Sequence, residues 1–409
     1  MKNKLTQSIS NKNYNSFIWH GVFLALAVNF TDMHTIIPAM LIKAGANSIL
    51  LGLLTTILMG GGKFVQIIFA GTISNKSYKK KSLLLGINLR VIALFLLAFL
   101  LFISSSLPNY LLIILIFVFM TMFSFSGSYA SIAYVDLTGK TILSADRKKF
   151  FSFKQSISSI GILISAILAK IILNNVPHPY NYGVLFIIAG ILLFVASLGF
   201  WRITEFFTDI NKKLSFIEYL KHIPLELKKN RNLKNYLFII NNLGLGMSFI
   251  PFMVLFAKKN FDLSNEFIGN ILLYKVLGIL VTSLILYKRS NHFDYKKLLY
   301  FSLLLGILLP FLCLIFQNNY FIFQLIFILS GVFLTTFKIS QSGILIEISN
   351  NENRAKYAGI SGAGSILPAI VPLLSGLMIS FLGFTITFVT MSFLISLSFI
   401  FIHKLECKN

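Results

Sequence analysis

Read from the N-terminus, the chain alternates long apolar runs with short polar ones. A membrane-crossing helix needs about 20 mostly apolar residues to cover roughly 30 Å of hydrocarbon. Twelve runs of that size are bounded by charges, Pro or Asn: 17–39, 49–71, 83–103, 110–135, 151–173, 183–201, 235–257, 265–287, 298–316, 320–346, 356–380 and 384–403. The pattern predicts an all-α membrane protein with twelve transmembrane helices. One polar stretch, 202–234, is longer than the rest. It carries Leu214, Ile217, Leu220, Ile223 and Leu227 at helical spacing among Lys and Glu, so an amphipathic helix lying on the cytoplasmic membrane face is expected there.

The pattern also repeats. Tyr78, Lys79 and Lys80 follow the second run, and Tyr295, Lys296 and Lys297 recur 217 positions later, the same offset that separates Gly52 from Gly269. IPAM at 37–40 has a partner in IPFM at 250–253, and Arg147, Lys149 and Phe150 have one in Arg354, Lys356 and Tyr357. Because the matches are collinear, we expect two pseudo-symmetric six-helix halves, 1–201 and 235–409, joined by the 202–234 linker.

Composition agrees with this picture. The chain is 56% hydrophobic and 12% charged, with a mean hydropathy of +0.82, which excludes a soluble globular fold. A net charge of +23 would point to nucleic acid in a soluble protein, but here its distribution decides. Of the 36 Lys and Arg, 27 fall in the N-terminal segment, alternate loops and the tail, and only Lys43, Lys170, Lys258 and Lys259 fall in the loops between. Positive charge marks the cytoplasmic side, so both termini are expected there, in an inner or plasma membrane. The basic excess then serves topology and attraction to anionic lipid, and no nucleic-acid partner is expected. Cys313 in the ninth run and Cys407 in the tail form no disulfide framework. Lys2, Lys4 and Lys12 precede an apolar run too long for a signal peptide, so it is read as an uncleaved first span.

Candidate chemistry lies with ionisable residues inside the runs, where a charge costs at least roughly 2.5 kcal/mol on insertion scales and must face a cavity or a partner. These are Asp32, Lys63, Arg90, Lys154, Lys275 and Lys338, with Asp136 and Glu347 at span ends. Polar side chains extend the set: Ser124, Tyr129, Ser131 and Tyr134 in the fourth run, Asn241, Asn242 and Ser248 in the seventh, and Thr335, Thr336, Ser340 and Gln341 in the tenth. Six scattered His and two Cys give no metal-ligand spacing, and no glycine-rich phosphate loop follows a strand, so neither metal nor cofactor is expected. An intramembrane transferase is the remaining enzyme alternative, with Asp136 and His34 as its thin candidate pair. A channel is a further alternative, separable by current recordings.

The twelve runs, their two halves and the loop after the second run together resemble the major facilitator superfamily. That family's loop reads Gly, three residues, an acid, a basic residue, one residue, Gly and two basic residues. In this chain Gly71 is followed at the same spacing by Asn75, Lys76, Tyr78, Lys79 and Lys80. The resemblance implies a cytoplasmic gate formed by this loop with Asp136, Arg147 and Arg354. Asn75 stands where the family has an acid, so it can accept a hydrogen bond but cannot form the ion pair.

The resemblance further implies that spans one, two, four, five, seven, eight, ten and eleven line a cavity. Asp32, Lys63, Tyr129, Lys154, Asn242, Lys275, Lys338 and Gln341 would then face it, and four lysines against one carboxylate favour an anionic substrate. At 1.5 Å per residue, Asp32 lies about 22 Å and Lys275 about 18 Å from the cytoplasmic ends of their spans, which sets Lys275 near the midplane with Asp32 facing it from the N-terminal half. Lys275 and Lys338 are assigned to the substrate anion. Asp32 is either a protonatable coupling group or a fixed partner of Lys63. Gly359, Gly362, Gly364, Pro368, Pro372 and Gly376 give the eleventh span the makings of a hinge. The fifth lacks the Gly-Pro motif of the family's drug/proton antiporters, which argues against a multidrug exporter. The expected function is proton-coupled transport of a small organic anion by alternating access, with efflux of amphipathic compounds as the alternative. The expected partners are the small-molecule substrate, protons or another coupling ion, and membrane lipids, and the expected state is a monomer.

Overall fold

The computed structural model describes the chain apart from residues 1–4, 64, 66–67, 70–72, 74–75, 208–223, 225, 289–293, 350–356, 358–359, 363 and 407–409. Gly71, Asn75, Arg354, Cys407 and most of the expected interfacial helix lie outside the described residues. Among the described residues there is no strand. Ten helical stretches are long and apolar enough to cross a membrane. One of them, Ile360–His403, is broken at Gly383, whose φ of +82° is open to glycine and strained for other residues, so it holds two spans. The apolar helix Ser48–Gly61 begins the remaining span, and the protein is a twelve-helix membrane protein.

The helices begin where short polar residues can take up the first free N–H groups. The Asn47 side chain accepts from Leu50 N at 3.0 Å, Asn230 from Leu233 N at 2.9 Å, and Asn319 from Ile322 N at 2.9 Å. Three Asn residues near the starts of apolar runs are thus helix caps in the fold. We label the helices α1 Gln7–Ala27, α2 Ile36–Lys43, α3 Ser48–Thr56, α4 Lys80–Phe102, α5 Asn109–Thr141, α6 Ser144–Asn175, α7 Tyr180–Trp201, α8 Arg231–Asn260, α9 Asn265–Lys288, α10 Tyr295–Ile315, α11 Tyr320–Glu347, α12 Leu367–Ser396 and α13 Ser398–His403. Helix α5, with 33 residues, is about 50 Å long, more than the hydrocarbon needs.

The helices form two compact units. The first comprises residues 1–32 and 61–216, the second residues 33–60 and 217–409. Residues 33–60, expected with the first half, therefore cluster with the second. Of the three points at which the chain changes unit, the first two are irregular. The first span runs from α1 through a 3-10 turn, Val28–Thr31, and breaks at Asp32 before α2 starts at Ile36. The second passes through a π-helical segment, Ile57–Gly61. Such insertions interrupt the regular hydrogen-bond ladder and are frequent at functional positions in helices.

In the first unit α4 packs between α5 and α7, and α1 packs on α6 and α7. Small residues allow the approach: a Cβ added at Gly86 would lie 2.7 Å from the Ser126 carbonyl oxygen. In the second unit α3 lies along α12, with Ser48 Oγ donating to Gly376 O at 2.8 Å and Leu373 N donating to Thr56 Oγ1 at 3.2 Å. Helix α8 packs on α12, and α11 on α9 and α10. Lys43 and Lys258, in the last turns of α2 and α8, suit the negative ends of those helices. Their ammonium groups donate to Asn265 Oδ1 at 2.6 Å and to Ile42 O at 3.3 Å.

Candidate functional site

Helix α4 opens with Lys79, Lys80 and Lys81 and has no capping side chain of its own. Three cations at the positive end of a helix dipole are unfavourable unless anions come from elsewhere. Two carboxylates supply this. Glu205, just after α7, accepts from Lys79 N at 2.5 Å and from Lys80 N at 2.8 Å, so its two oxygens cap the helix. Asp136 on α5 pairs with Lys79 Nζ at 2.9 Å and with Lys140 Nζ at 2.5 Å. Lys80 Nζ donates to the carbonyls of Trp201 at 2.6 Å and Ile203 at 2.9 Å, past the negative end of α7. Lys79 lies outside the spans, and burial pushes its ammonium below the ordinary lysine value against the opposing pull of Asp136.

Of the expected gate residues, Lys79, Lys80 and Asp136 thus meet in one network. Lys76 reaches Ser82 Oγ at 3.0 Å and Tyr129 OH at 3.5 Å. Arg147 turns to the last carbonyls of α5, donating from Nε to Ile142 O at 3.1 Å and from Nη2 to Gly139 O. Glu205 was not singled out in the sequence. The signal for it was indirect: a helix starting on three lysines, and a carboxylate in the basic stretch after the sixth span.

Further along the helices of the first unit, α1, α4, α5, α6 and α7 line a half-open cavity of about 210 Å³. Its polar walls are His20, Arg90, Ser131, Tyr134 and Lys154, and Leu24, Leu83 and Ile87 are among the apolar ones. Lys154 Nζ donates to Tyr134 OH at 2.6 Å and sits 4.7 Å from that ring's centroid. The Arg90 guanidinium lies 4.1 Å from the centroid of Phe123. Two glycines make room for the cations. A Cβ at Gly21 would come within 3.2 Å of the Lys154 stem, and one at Gly127 within 3.3 Å of Arg90 Nη1.

In the second unit Lys275, on α9, is 1% exposed. Helix α11 runs so close to it that a Cβ at Gly331 would overlap the Lys275 carbonyl oxygen. Lys338 on α11 is exposed. The buried Asn242 spends its amide on Phe238 O at 2.9 Å, and Gln341 accepts the Tyr236 hydroxyl through its carbonyl at 3.2 Å. Asn241 bridges the interruption before α12: its amide donates to Gly364 O at 2.7 Å and its oxygen accepts from Leu367 N at 2.8 Å. An asparagine that satisfies both orphaned ends holds open the irregular stretch where a hinge was expected. Asp32 and Lys63, both half-buried, flank the two irregular segments of the first two spans. Among the described residues, no group of three or more His, Cys, Asp or Glu is placed to hold a metal ion.

A family model for the Major Facilitator Superfamily matches residues 22–234 and again 235–406. No curated protein sequence matches the chain. Among solved structures, the chain is similar to a POT family transporter in complex with 5-aminolevulinic acid, with a TM-score of 0.71, 13% identity and 96% of each chain covered. It is also similar to a D-xylose-proton symporter, with a TM-score of 0.69, 14% identity and coverage of 96% of this chain and 97% of that one. A third is the nucleoside transporter NupG, with a TM-score of 0.64, 13% identity and coverage of 98% and 100%.

Proposed function

The chain belongs to the Major Facilitator Superfamily and is an integral-membrane transporter, and from that premise we propose that it carries a small organic anion by proton-coupled alternating access. The observation that carries this reading is Lys275. An ammonium group on a membrane-spanning helix could snorkel to the interface, yet Lys275 is 1% exposed, on a helix that packs against α11. A buried cation on a membrane-spanning helix is suited to recognising a carboxylate, sulfonate or phosphate. Lys338 is assigned to the same anion.

Asp32 is the proposed coupling group. It stands at the break of the first span, half-buried beside backbone that is not helical, the kind of position at which intramembrane carboxylates serve as proton relays. The name of the xylose-proton symporter agrees with this coupling for a protein of similar fold. The breaks at Asp32 and Ile57–Gly61, with the Asn241-bridged one before α12, are the proposed points of bending. The protein is placed in the cytoplasmic membrane with both termini inside, as a monomer.

Uptake of labelled organic anions into proteoliposomes under an imposed pH gradient tests the assignment. Lys275→Gln is expected to cut anion uptake at least roughly tenfold, and Asp32→Asn to keep exchange while losing uphill accumulation. Full transport by Lys275→Gln and Lys338→Gln variants overturns the anion reading. Uphill accumulation by Asp32→Asn overturns the coupling role.

A further inference from the structure

Arg90 has no part in the proposed transport path. It lies on α4, in the third span, which the family resemblance places outside the substrate-lining set, and an arginine there is costly without a purpose. Its surroundings are specific. Arg90 and Lys154, the latter expected from the sequence to face the transport cavity, line one cavity of about 210 Å³ in the first unit that contains none of the other expected transport residues, and among the described residues no carboxylate lines it. Lys154 is held by the Tyr134 hydroxyl at 2.6 Å, a neutral partner that leaves its charge uncompensated. The Nε of Arg90 and the Nδ1 of His20 are buried and have no hydrogen-bond partner among the described residues. Gly21 and Gly127 clear the space that the two cationic side chains occupy.

We infer that this cavity is a binding site for a small oxyanion, a carboxylate or phosphate, separate from the transported substrate. A guanidinium offers planar paired donors and an ammonium a point charge, and together they match an oxyanion's charge and lone pairs. The Tyr134 hydroxyl, already accepting from Lys154, is free to donate its own hydrogen to the anion. Leu24, Leu83 and Ile87 give the remaining wall an apolar face, which strengthens the charge interactions by excluding water. A volume of about 210 Å³ holds an anion of a few carbons.

Arg90 lies about 10 Å inside the apolar run 83–103, Lys154 about 5 Å inside 151–173, and Tyr134 at the end of 110–135. A free anion and a lipid headgroup phosphate share the chemistry this site recognises, and the lipid composition in the experiment below separates the two. The inference does not rest on the role given to Lys275.

The chain has two tryptophans, Trp19 and Trp201, and both adjoin this region. Trp19 precedes His20, and Trp201 follows Phe200, whose ring lies 4.3 Å from the His20 ring. Their fluorescence is the readout, with the full-length protein in phosphatidylcholine nanodiscs titrated with inorganic phosphate or succinate at constant ionic strength. A saturable change is expected, weakened roughly tenfold or more by Arg90→Gln and less by Lys154→Gln, while Lys275→Gln leaves it intact. Tyr134→Phe, which keeps the ring and removes the hydroxyl, is expected to weaken it by a smaller factor and guards against a fold-level failure of the charge variants. The inference is overturned if wild-type protein shows no saturable change, or if Arg90→Gln, folded by circular dichroism, responds as wild type. A response abolished by adding phosphatidylglycerol to the nanodiscs overturns it in favour of a lipid headgroup. Loss of the response in Lys275→Gln with retention in Arg90→Gln overturns it in favour of the transport site.

Discussion

Helices α4 and α5 carry partly buried cations in two places, and the two places are treated differently. At the start of α4, Lys79 and Lys140 meet Asp136, and Glu205 caps the helix with both oxygens. About 15 Å along the same helix, Arg90 shares a cavity with Lys154, and the nearest electron-rich partners are the Phe123 and Tyr134 rings and one phenol oxygen. The first arrangement is closed, with charge matched by charge, and it ties α4, α5 and the end of α7 together. The second holds positive charge in reserve. Where carboxylates are supplied the cations are part of the scaffold, and where they are withheld the cations await a ligand.

The contrast can be broken at its closed end first. Asp136→Ala leaves Lys79 and Lys140 without their carboxylate, and breaking a fully buried pair costs about 3–5 kcal/mol. The Asp136 side chain is 32% exposed, so solvent screens part of that loss. A destabilisation of about 2 kcal/mol is expected, read as a lowered midpoint in thermal unfolding of the purified protein. An unchanged midpoint would make the network a surface decoration.

A smaller effect comes from pH. Burial lowers the Lys79 value below its ordinary 10.5, so in the window beneath 10.5 the unfolded chain holds more protons than the folded one. Stability contributed by this residue therefore rises with pH across that window. Midpoints of the wild type compared with Lys79→Met as pH approaches 10.5 are expected to diverge in the wild type's favour, by less than the Asp136→Ala effect. The smallest effect is expected at the open end. Arg90→Gln removes a half-buried charge that has no carboxylate, so the midpoint should stay level or rise slightly. A fall as large as that of Asp136→Ala would mean that Arg90 has a structural partner and would erase the contrast.

The hydrophobic pattern was sufficient for the span count because length and polarity alone decide what crosses a bilayer. It also grouped Lys79, Lys80 and Asp136 near one end of the bundle, since each flanks an apolar run. It was blind to two kinds of feature. Backbone irregularities, such as the break at Asp32 and the π-helical segment Ile57–Gly61, leave hydropathy unchanged. Long-range polar partners, such as Glu205 with Lys79 or Asn241 with Leu367, join residues 126 positions apart in sequence and have no local period to reveal them. Arg90 was visible as an intramembrane charge. Its meeting with Lys154 and His20 depends on how five helices pack, and that information is spread over their small residues.

The exchange of residues 33–60 between units bears on how the protein can be cut and rejoined. A scission in the linker, the natural place to separate the two sequence repeats, yields a C-terminal fragment that lacks α2 and α3 and so exposes the groove on α12 where Ser48 and Thr56 are seated. The complementary fragment carries those missing helices on its own chain. The repeats are thus equal in sequence bookkeeping but not interchangeable as parts, and co-expressed fragments would assemble by donating a helical hairpin rather than by docking two finished bodies.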